Sequence, residues 1–435
     1  MLSNASLENE PIILTDTRAI HRAAPELKQA SEGSRVLKLK VAVHHIIDVM
    51  WTAAAKTARL MPGSWRLLGL PRSRMRYVPK SMAAVREHLD WMQRLKGPYC
   101  EVIQQPMAVS RRAPKCAVTT QKHRGFTIER HHVHNELFLA RMPGARVVGP
   151  NGVVITSNGA AVEESTWGRG WLEKDRVFRS CRLPKASKMS GHFYTIACLS
   201  SEGYSHWILD ALTRLFAIDR TPLDEINLIV SKPLNRWQKE SLAMLGLGEV
   251  NIVALENRSI EAEVLYMPSF AGSPGNPHPH GCQWLRERLV KTSSVRRRLY
   301  ISRRLAQRRR IINEDELEPI LADHGFEIIE AETMSFAEQL KLFSEAEVIV
   351  GPHGAGLTNL LFAPRGCKVL EVFDPNHVKV LYYALADVLE QPYWYIIGNA
   401  TESAAHHGVS GHDDIHVSPS DFARSLDAML KAEGN

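Results

Sequence analysis

The chain has 435 residues, of which 44% are hydrophobic and 23% charged, with a formal net charge of +7. A chain of this length is too long for one ordinary hydrophobic core, so we predict a soluble globular protein with two domains. No segment approaches the roughly 20 apolar residues that span a bilayer. The positive charge is concentrated. Eight arginines and no acid lie between Arg296 and Arg310, a block that could serve nucleic acid, anionic lipid or a phosphorylated ligand.

Residues 1–35 are polar and without periodicity, and we expect them to form a mobile tail. Residues 36–100 are predicted to form a helical extension, because apolar side chains recur there at helical spacing. The part from 36 to 80 is also basic, and such an amphipathic segment can contact an anionic membrane surface peripherally. A helix packed on its own domain is the alternative and the preferred interpretation.

Residues 101–272 are predicted to form a first domain. Short strand-like runs separated by Pro-Gly and Asn-Gly turns predict a β-meander at 137–140, 145–148 and 153–156. A helix from Ser205 to Ile218 follows, and strands then alternate with a further helix. Such alternation predicts a parallel sheet covered on both faces.

Residues 273–285 are predicted to be an interdomain hinge, because three prolines and two glycines in its first nine residues disfavour a helix or a strand. Residues 286–398 restart the alternation and predict a second, doubly wound domain. Within it, Asn313 and Glu316 predict a capping box at the start of a helix. Residues 399–435 predict a tail and a last helix that could return across the first domain.

The second domain contains the turn Gly351-Pro352-His353-Gly354-Ala355-Gly356-Leu357-Thr358-Asn359, with an apolar strand before it and a helix-compatible segment after it. The first N–H groups of a helix lack partners and its dipole favours negative charge, so the turn predicts an anion site. A simple tight turn is the alternative. Arg303 follows a neighbouring strand and could bind phosphate bidentately, or it could be a solvated charge.

Glu371 lies inside the apolar strand 369–373. A buried carboxylate is costly unless it is paired or hydrogen-bonded. Hydrogen bonds from a ribose would satisfy it, and so would an internal arginine.

A possible base lies on the helix of the first domain. Ile208, Leu212, Leu215 and Phe216 form its apolar stripe, and His206, Asp210 and Thr213 cluster on the opposite side. If that side faces a cleft, His206 is placed as a general base with Asp210 one turn away. If it faces solvent, the helix is an ordinary amphipathic one, and spacing alone favours that interpretation.

The sequence predicts no metal site. His278 and His280 could be metal ligands, but we interpret them as linker histidines. The groups His131, His132, His134 and His406, His407, His412, His416 do not match a zinc spacing with cysteines. No Asp-x-Asp occurs that could hold a metal on a diphosphate.

Six widely spaced cysteines predict reduced thiols, and the first residues lack the layout of a signal peptide. We therefore expect a cytoplasmic protein, at most peripheral at the inner face of the membrane.

Several motifs occur in one order along the chain. They are Tyr204-Ser205-His206-Trp207-Ile208-Leu209-Asp210, Tyr300-Ile301-Ser302-Arg303, Arg310-Ile311-Ile312-Asn313-Glu314, the Gly351–Asn359 turn and Leu370-Glu371-Val372-Phe373. Together they resemble glycosyltransferase family 61, including the bacterial capsular polysaccharide biosynthesis-type members, over roughly 130–397. Eukaryotic members usually carry a signal or membrane anchor, which we do not detect in this sequence.

The resemblance implies a GT-B fold, in which two Rossmann-like domains face a cleft and the C-terminal one holds the nucleotide sugar. Residues 101–272 would then be the acceptor-side domain. It also implies inversion at the anomeric carbon, with a nucleotide-diphosphate sugar as donor and no other cofactor. The expected acceptor is a surface glycan or lipid-linked glycan.

The residues acquire roles in this hypothesis. His206 would be the base and Asp210 would orient it. Arg303 and the N–H groups of Gly354, Ala355 and Gly356 would stabilise the leaving diphosphate. His353, Asn359 and Glu371 would complete the nucleotide-sugar site.

Two other functions stay open. A polysaccharide pyruvyltransferase has a similar architecture, but we do not expect it to carry the His206-Trp207 motif. A non-catalytic nucleotide- or glycan-binding module of an envelope assembly complex is the other. A nucleic-acid partner is not predicted, because the arginine block lacks interleaved aromatic residues that stack bases.

Overall fold

The computed structural model of the protein describes residues 100–118, 123–157, 159, 161–172, 175, 177, 183–401 and 413–432. These residues all fall within one compact unit. The predicted tail, the helical extension up to residue 99 and the membrane contact through 36–80 lie outside the described residues, as do His406, His407 and His412. No helix in the described ranges is both long and apolar enough to cross a bilayer.

Strands and helices alternate through most of the described chain. The strands are β1 Cys100–Gln104, β2 Met107–Ser110, β3 His131–His134, β4 Leu137–Pro143, β5 Arg146–Val148, β6 Val153–Ile155, β7 Ala186–Thr195, β8 Ile226–Val230, β9 Asn251–Ala254, β10 Ser259–Pro268, β11 Gly272–Ser273, β12 Asn276–Pro277, β13 Arg297–Ile301, β14 Phe326–Ile329, β15 Ala346–Pro352, β16 Lys368–Phe373, β17 Tyr393–Ile397, β18 Asn399–Thr401 and β19 Asp414–His416. The α-helices are α1 Arg124–Ile128, α2 Arg169–Leu172, α3 Tyr204–His206, α4 Arg236–Met244, α5 Pro279–Leu289, α6 Glu314–Asp323, α7 Phe336–Ser344, α8 Leu381–Val388 and α9 Pro419–Lys431.

The larger sheet has eight strands in the order β1-β4-β10-β7-β8-β9, with β5 paired to β10 and β6 paired to β5. Strands β10, β7, β8 and β9 are parallel, whereas β1, β4, β5 and β6 pair antiparallel. The sheet is therefore mixed rather than purely parallel. The helical segment that begins at Tyr204 is the crossover from β7 to β8, so it starts at the carboxyl end of β7.

The smaller sheet is entirely parallel, in the order β14-β13-β15-β16-β17. Its first strand in sequence, β13, lies between β14 and β15, so the strand order reverses between β13 and β15. Ligands of open α/β sheets bind at such a switch point, beyond the carboxyl ends of the strands. Arg303 follows β13 and the glycine turn follows β15, so both lie at the switch point.

The predicted α/β class with parallel sheets agrees with the structure. One buried apolar cluster includes side chains from both sheets, for example Leu228 of β8 and Leu299 of β13. The GT-B arrangement and the predicted domain boundaries stay predictions. Within the predicted hinge, the local structure is more regular than we expected. Its first residues pair as the ribbon β11–β12, and α5 begins at Pro279, where a first-turn proline sacrifices no hydrogen bond.

Two local predictions are wrong. The last helix, α9, packs on the smaller sheet and not on the larger one, because its apolar side chains Phe422, Leu426 and Met429 join the core beside β16 and β17. Asn313 precedes α6 but does not cap it. Its amide group instead bonds both the N–H and the carbonyl of Val417. Among the described residues, Cys116, Cys198, Cys282 and Cys367 form no disulfide.

Candidate active site

The possible base lies on a helix of changing type. It begins as α3, continues as a π-helix over Trp207–Ala211 and ends as a 3-10 helix over Leu212–Arg220; we call the whole segment the His206 helix. The predicted apolar stripe is confirmed, because Ile208, Leu212, Leu215 and Phe216 are buried. Short π-helical segments are rare and occur often at functional sites.

His206 and Asp210 form a hydrogen-bonded pair, with 2.7 Å between His206 Nδ1 and Asp210 Oδ2. The His206 side chain is 42% exposed and the Asp210 side chain 17%, so the imidazole stands at the surface and the carboxylate behind it. The hydrogen bond to Asp210 raises the pKa of His206. Burial raises the pKa of Asp210. The hydrogen bond from His206 opposes that rise, because it favours the ionised carboxylate. When Asp210 is ionised, it accepts a hydrogen bond from Nδ1–H of His206, and Nε2 is then the nitrogen that can take up a proton.

Arg214 extends this pair into the core, and sequence reasoning missed it. Its guanidinium is fully buried, donates to the carbonyls of Ala197 and Pro268, and favours the ionised form of Asp210. The sequence did contain a pattern that could have indicated Arg214. Histidine, aspartate and arginine occur at i, i+4 and i+8, a spacing that places them on one face of a helix. Thr213, which we grouped with His206 instead, is buried and donates its hydroxyl to the carbonyl of Leu209, so its predicted place on the polar face is wrong.

The glycines of the 351–359 turn are required by close contacts rather than by unusual dihedral angles, since none has a positive φ. A Cβ on Gly354 would lie 2.0 Å from Nη1 of Arg303, and one on Gly356 would lie 2.9 Å from a side-chain carbon of Ile301. The turn therefore lets the end of β13 and the Arg303 side chain approach its backbone. A 3-10 helix, Ala355–Phe362, begins immediately after Gly354, and Ala355 is the exposed residue of the turn.

Arg303 lies directly over this turn. Its Nη2 donates to the carbonyl of Arg308 at 3.1 Å, and its buried Nε has no hydrogen-bond partner among the described residues. Burial lowers the pKa of Arg303. Arg309, which sequence reasoning did not single out, donates from Nε to the carbonyl of His353 at 3.2 Å. Burial and the two neighbouring arginines lower its pKa to about 10. Two partly desolvated guanidinium groups thus meet at the switch point.

The other arginines of the block behave differently. Four of them pair with acids across strand and helix ends: Arg297 with Glu327 and Glu345, Arg298 with Glu347, Arg304 with Glu314 and Glu318, and Arg310 with Asp414. Within the described ranges Arg303 has no carboxylate within ion-pair distance. Glu332 and Asp414 act on its charge only from beyond that distance. The guanidinium is therefore not held in an ion pair, and an anion can bind it bidentately.

His353 is buried beside Arg309, with 2.5 Å between its Nδ1 and Oε1 of Glu371. The second carboxyl oxygen of Glu371 accepts a hydrogen bond from Tyr393. Burial raises the pKa of Glu371 well above its usual range, and burial together with Arg309 and Arg303 lowers the pKa of His353 to about 3. The pair is therefore neutral in charge, with the proton of the carboxyl group shared with Nδ1.

The predicted partners of Glu371 are both wrong. It contacts neither an internal arginine nor open space where a ribose could lie, because its side chain is fully buried and both oxygens face protein groups. Glu371 can act on a ligand only through His353, whose ring orientation and tautomer it sets. The sequence could not predict these partners, because His353 and Tyr393 lie on other segments of the chain and only the sheet brings them next to Glu371.

Asn359 is also fully buried and bonded to protein. Its amide group donates to Gln339 and to the carbonyl of Gly356, and its oxygen accepts a hydrogen bond of 2.6 Å from the Tyr204 hydroxyl. These bonds favour a role in holding the turn over a direct ligand contact. They also join the turn to the His206 helix, since α3 packs on the Ala355–Phe362 helix.

His278 and His280 lie at the start of α5. Among the described residues no group of three or more histidines, cysteines or acids could hold a metal ion. His278 caps α5, because its Nδ1 accepts the N–H of His280. The ring proton must then lie on Nε2, which prevents that nitrogen from binding a metal. The linker interpretation is replaced for both residues, because His278 is the helix cap and His280 lies in the first turn of α5.

Comparison of the sequence with known protein families identifies the class of domain. Residues 204–370 match the model of the family described as Glycosyltransferase 61. The matched segment includes His206, Arg303 and the glycine turn and ends one residue before Glu371. It carries a glycosyltransferase domain, which confirms the predicted class of enzyme at the level of the domain.

Curated relatives match over short segments. The EGF domain-specific O-linked N-acetylglucosamine transferase of Drosophila melanogaster is 38% identical over 88 residues, which are 19% of this chain and 17% of that protein. The mouse protein of the same name is 34% identical over 82 residues, 18% and 16% of the two chains. Human protein O-linked-mannose beta-1,4-N-acetylglucosaminyltransferase 2 is 39% identical over 79 residues, 16% and 13%. The chain thus spans less than a fifth of the length of these relatives, and the capsular subtype stays a prediction.

Proposed function

We propose that the protein is an inverting glycosyltransferase that moves a sugar from a nucleotide-diphosphate sugar to a hydroxyl group of a glycan acceptor. The observation that carries this proposal is the direct link between two unlike sites. A hydrogen-bonded histidine–aspartate pair lies on the His206 helix, and that helix is bonded through Tyr204 and Asn359 to the turn beneath Arg303 and Arg309. Sugar transfer needs both a base and a cationic site for the leaving group.

In the proposed reaction the acceptor hydroxyl gives its proton to Nε2 of His206. Asp210 holds the opposite nitrogen and stabilises the imidazolium that forms, and Arg214 favours the ionised form of Asp210. The acceptor oxygen forms a bond to the anomeric carbon while the bond from that carbon to the diphosphate oxygen breaks. Attack on the face opposite the diphosphate inverts the configuration.

Negative charge develops on the departing diphosphate, and we propose that Arg303 and Arg309 receive it. Both guanidinium groups are already held by backbone carbonyls and partly removed from water. Preorganised donors of this kind require little rearrangement as charge develops, and losing one typically reduces turnover about 10²–10³-fold. The unpartnered Nε of Arg303 supports this role. His353 would donate from Nε2 to a phosphate or to the sugar.

We further propose that the two sheets correspond to the two halves of a GT-B enzyme. The support is topological. The His206 helix leaves the carboxyl end of β7 in the larger sheet, and the turn lies at the switch point of the smaller, all-parallel sheet. The donor would then lie mainly against the smaller sheet and the acceptor against the larger.

The test is nucleotide release from a panel of UDP-, GDP-, ADP- and dTDP-sugars, with phosphoenolpyruvate as the control donor for a pyruvyltransferase. UDP-N-acetylglucosamine comes first in the panel because the named relatives are N-acetylglucosamine transferases. We expect release of the nucleotide from one donor class and ¹H NMR signals of a product with inverted anomeric configuration. Saturable binding without release from any donor would instead identify a non-catalytic module.

A further inference from the structure

A cavity of about 230 Å³ lies beside His206, and neither the proposed base nor the anion site accounts for it. Its lining residues include Asn151, Trp167, Trp171, Asp175, Leu199 and Phe270. The Trp167 and Trp171 rings meet edge to face at 5.1 Å, and Trp167 and Phe270 lie 5.8 Å apart. Three aromatic rings therefore form one wall.

The aromatic wall adjoins the proposed base directly. The centroid of the Trp167 ring lies 5.7 Å from that of His206. Phe270 lies on the guanidinium of Arg214, 4.6 Å from its ring centre, so the floor of the cavity rests on the same buried residue that supports Asp210. A ligand on these rings would lie at the edge of the His206 imidazole.

The opposite wall is polar and fixed. The carboxylate of Asp175 accepts hydrogen bonds from the Asn151 amide at 2.6 Å and from the N–H of Val177 at 2.8 Å. These two hydrogen bonds stabilise the carboxylate, so it is not an isolated charge. Its oxygens can still accept hydrogen bonds from hydroxyl groups of a ligand. The volume is below the ~300–1,000 Å³ of pockets for drug-sized ligands and suits one small ring.

We propose that this cavity binds a neutral pyranose unit of the acceptor glycan, with the apolar C–H face of the sugar on Trp167 and Trp171 and its hydroxyl groups towards Asn151 and Asp175. A pyranose has one apolar face and a polar rim, which matches the two walls, and dispersion contacts with large aromatic surfaces supply the attraction. This inference rests on the proposed function. It adds where the acceptor lies and which chemical class it belongs to.

The test is isothermal titration of the full chain with cellobiose, xylobiose and chitobiose, whose β-1,4-linked rings present flat C–H faces. We expect at least one to bind, Trp171→Ala to weaken it at least tenfold, and Trp171→Phe to retain part of the affinity. Trp171 is 42% exposed, so its loss should leave the fold intact. Leu223→Ala, which removes a similarly exposed apolar side chain outside the cavity, is the matched control and should bind as the unmodified protein does.

Three results would overturn the inference: no binding of any of the three sugars, equal binding by Trp171→Ala, or tighter binding of tetramethylammonium, which an aromatic cage for cations would prefer. Slow hydrolysis of the donor by water separates this failure from that of the proposed function. If Trp171→Ala loses transfer but keeps hydrolysis of the nucleotide sugar, the acceptor site is supported. If the unmodified protein neither hydrolyses nor transfers while the sugars still bind, only the enzymatic proposal fails.

Discussion

The hydroxyl group of Tyr204 donates a 2.6 Å hydrogen bond to the side-chain oxygen of Asn359. These residues are separated by 155 positions, yet the bond joins the first residue of the His206 helix to the helix that follows the glycine turn. The side-chain amide of Asn359 holds the turn in place through the carbonyl of Gly356. The position of the proposed base is therefore coupled to the position of the proposed anion site.

This coupling predicts the effect of Tyr204→Phe. Phenylalanine keeps the ring contact with Trp237 at 5.3 Å but leaves the buried Asn359 oxygen without its donor. We expect a loss of about 1–3 kcal/mol in the free energy of unfolding, measured by urea denaturation. Because the two sites shift relative to each other, kcat should also fall about tenfold while the KM for the donor changes little.

Tyr266→Phe is the matched control, since it removes a hydroxyl near His192 in the larger sheet, away from the turn. A Tyr204→Phe variant with reduced stability and unchanged kcat would show that the bond is structural only.

Arg303→Ala is predicted to lower kcat by at least a hundredfold with the fold intact, because a donor to the leaving diphosphate is lost. Arg296→Ala is its control within the same arginine block, since Arg296 is exposed and its side chain donates to the backbone carbonyls of Ser293 and Val295. Steady-state kinetics and far-UV circular dichroism make the comparison. Near-normal transfer by Arg303→Ala would refute the leaving-group role.

Gly354→Ala should reproduce this defect by displacing Arg303, because the new Cβ would collide with the guanidinium and not with the backbone. The double variant Gly354→Ala/Arg303→Ala should then be no slower than Arg303→Ala alone, since both changes remove one interaction. Gly248→Ala, where the nearest atom to a Cβ is 3.3 Å away, controls for the substitution itself. Additive losses in the double variant would separate the two residues.

The pH dependence of kcat tests the histidine–aspartate pair. His206 acts as a base only when neutral, so activity should fall as the pH drops through its pKa, which Asp210 raises. Asp210→Asn removes the charge, so the acidic limb should move to lower pH while kcat falls. Glu202→Gln is the control, because exposed Glu202 contributes less to the pKa and pairs with Lys232. An acidic limb that Asp210→Asn leaves unmoved would exclude His206 as its origin.

Glu371 is predicted to act as a neutral hydrogen-bonding group. Burial raises its pKa, so glutamine should replace the protonated carboxyl, donate to Nδ1 of His353 and accept from Tyr393. Glu371→Gln should therefore keep stability and activity near those of the unmodified protein. Glu371→Ala should lose about 2–5 kcal/mol, because it opens a cavity and leaves two buried polar groups without partners.

Thermal and urea denaturation at pH 7 measure this difference. Equal loss of activity in Glu371→Gln and Glu371→Ala would instead indicate that the ionised carboxylate is required.

Much of the fold was accessible from local patterns. Strands occur at Leu137–Pro143, Arg146–Val148, Val153–Ile155 and Lys368–Phe373, where the sequence predicted them, because apolar periodicity and turn residues act over a few positions. The strand Ala186–Thr195 was missed, since its first half is polar and half-exposed. The local motif order also pointed correctly to a glycosyltransferase domain.

The sequence by itself determined the elements of the smaller sheet, the apolar stripe of the His206 helix and the glycine turn after β15, because each depends on spacing within one segment. Only the tertiary structure decided what the polar side chains touch. It turned Glu371 towards His353 and Tyr393, and it bonded Asn359 to Tyr204. Within the described ranges it also left Arg303 outside the ion pairs that four neighbouring arginines form. Hydrogen bonds and burial depend on residues that are far away in sequence, and the pattern of a single segment does not indicate which residues those are.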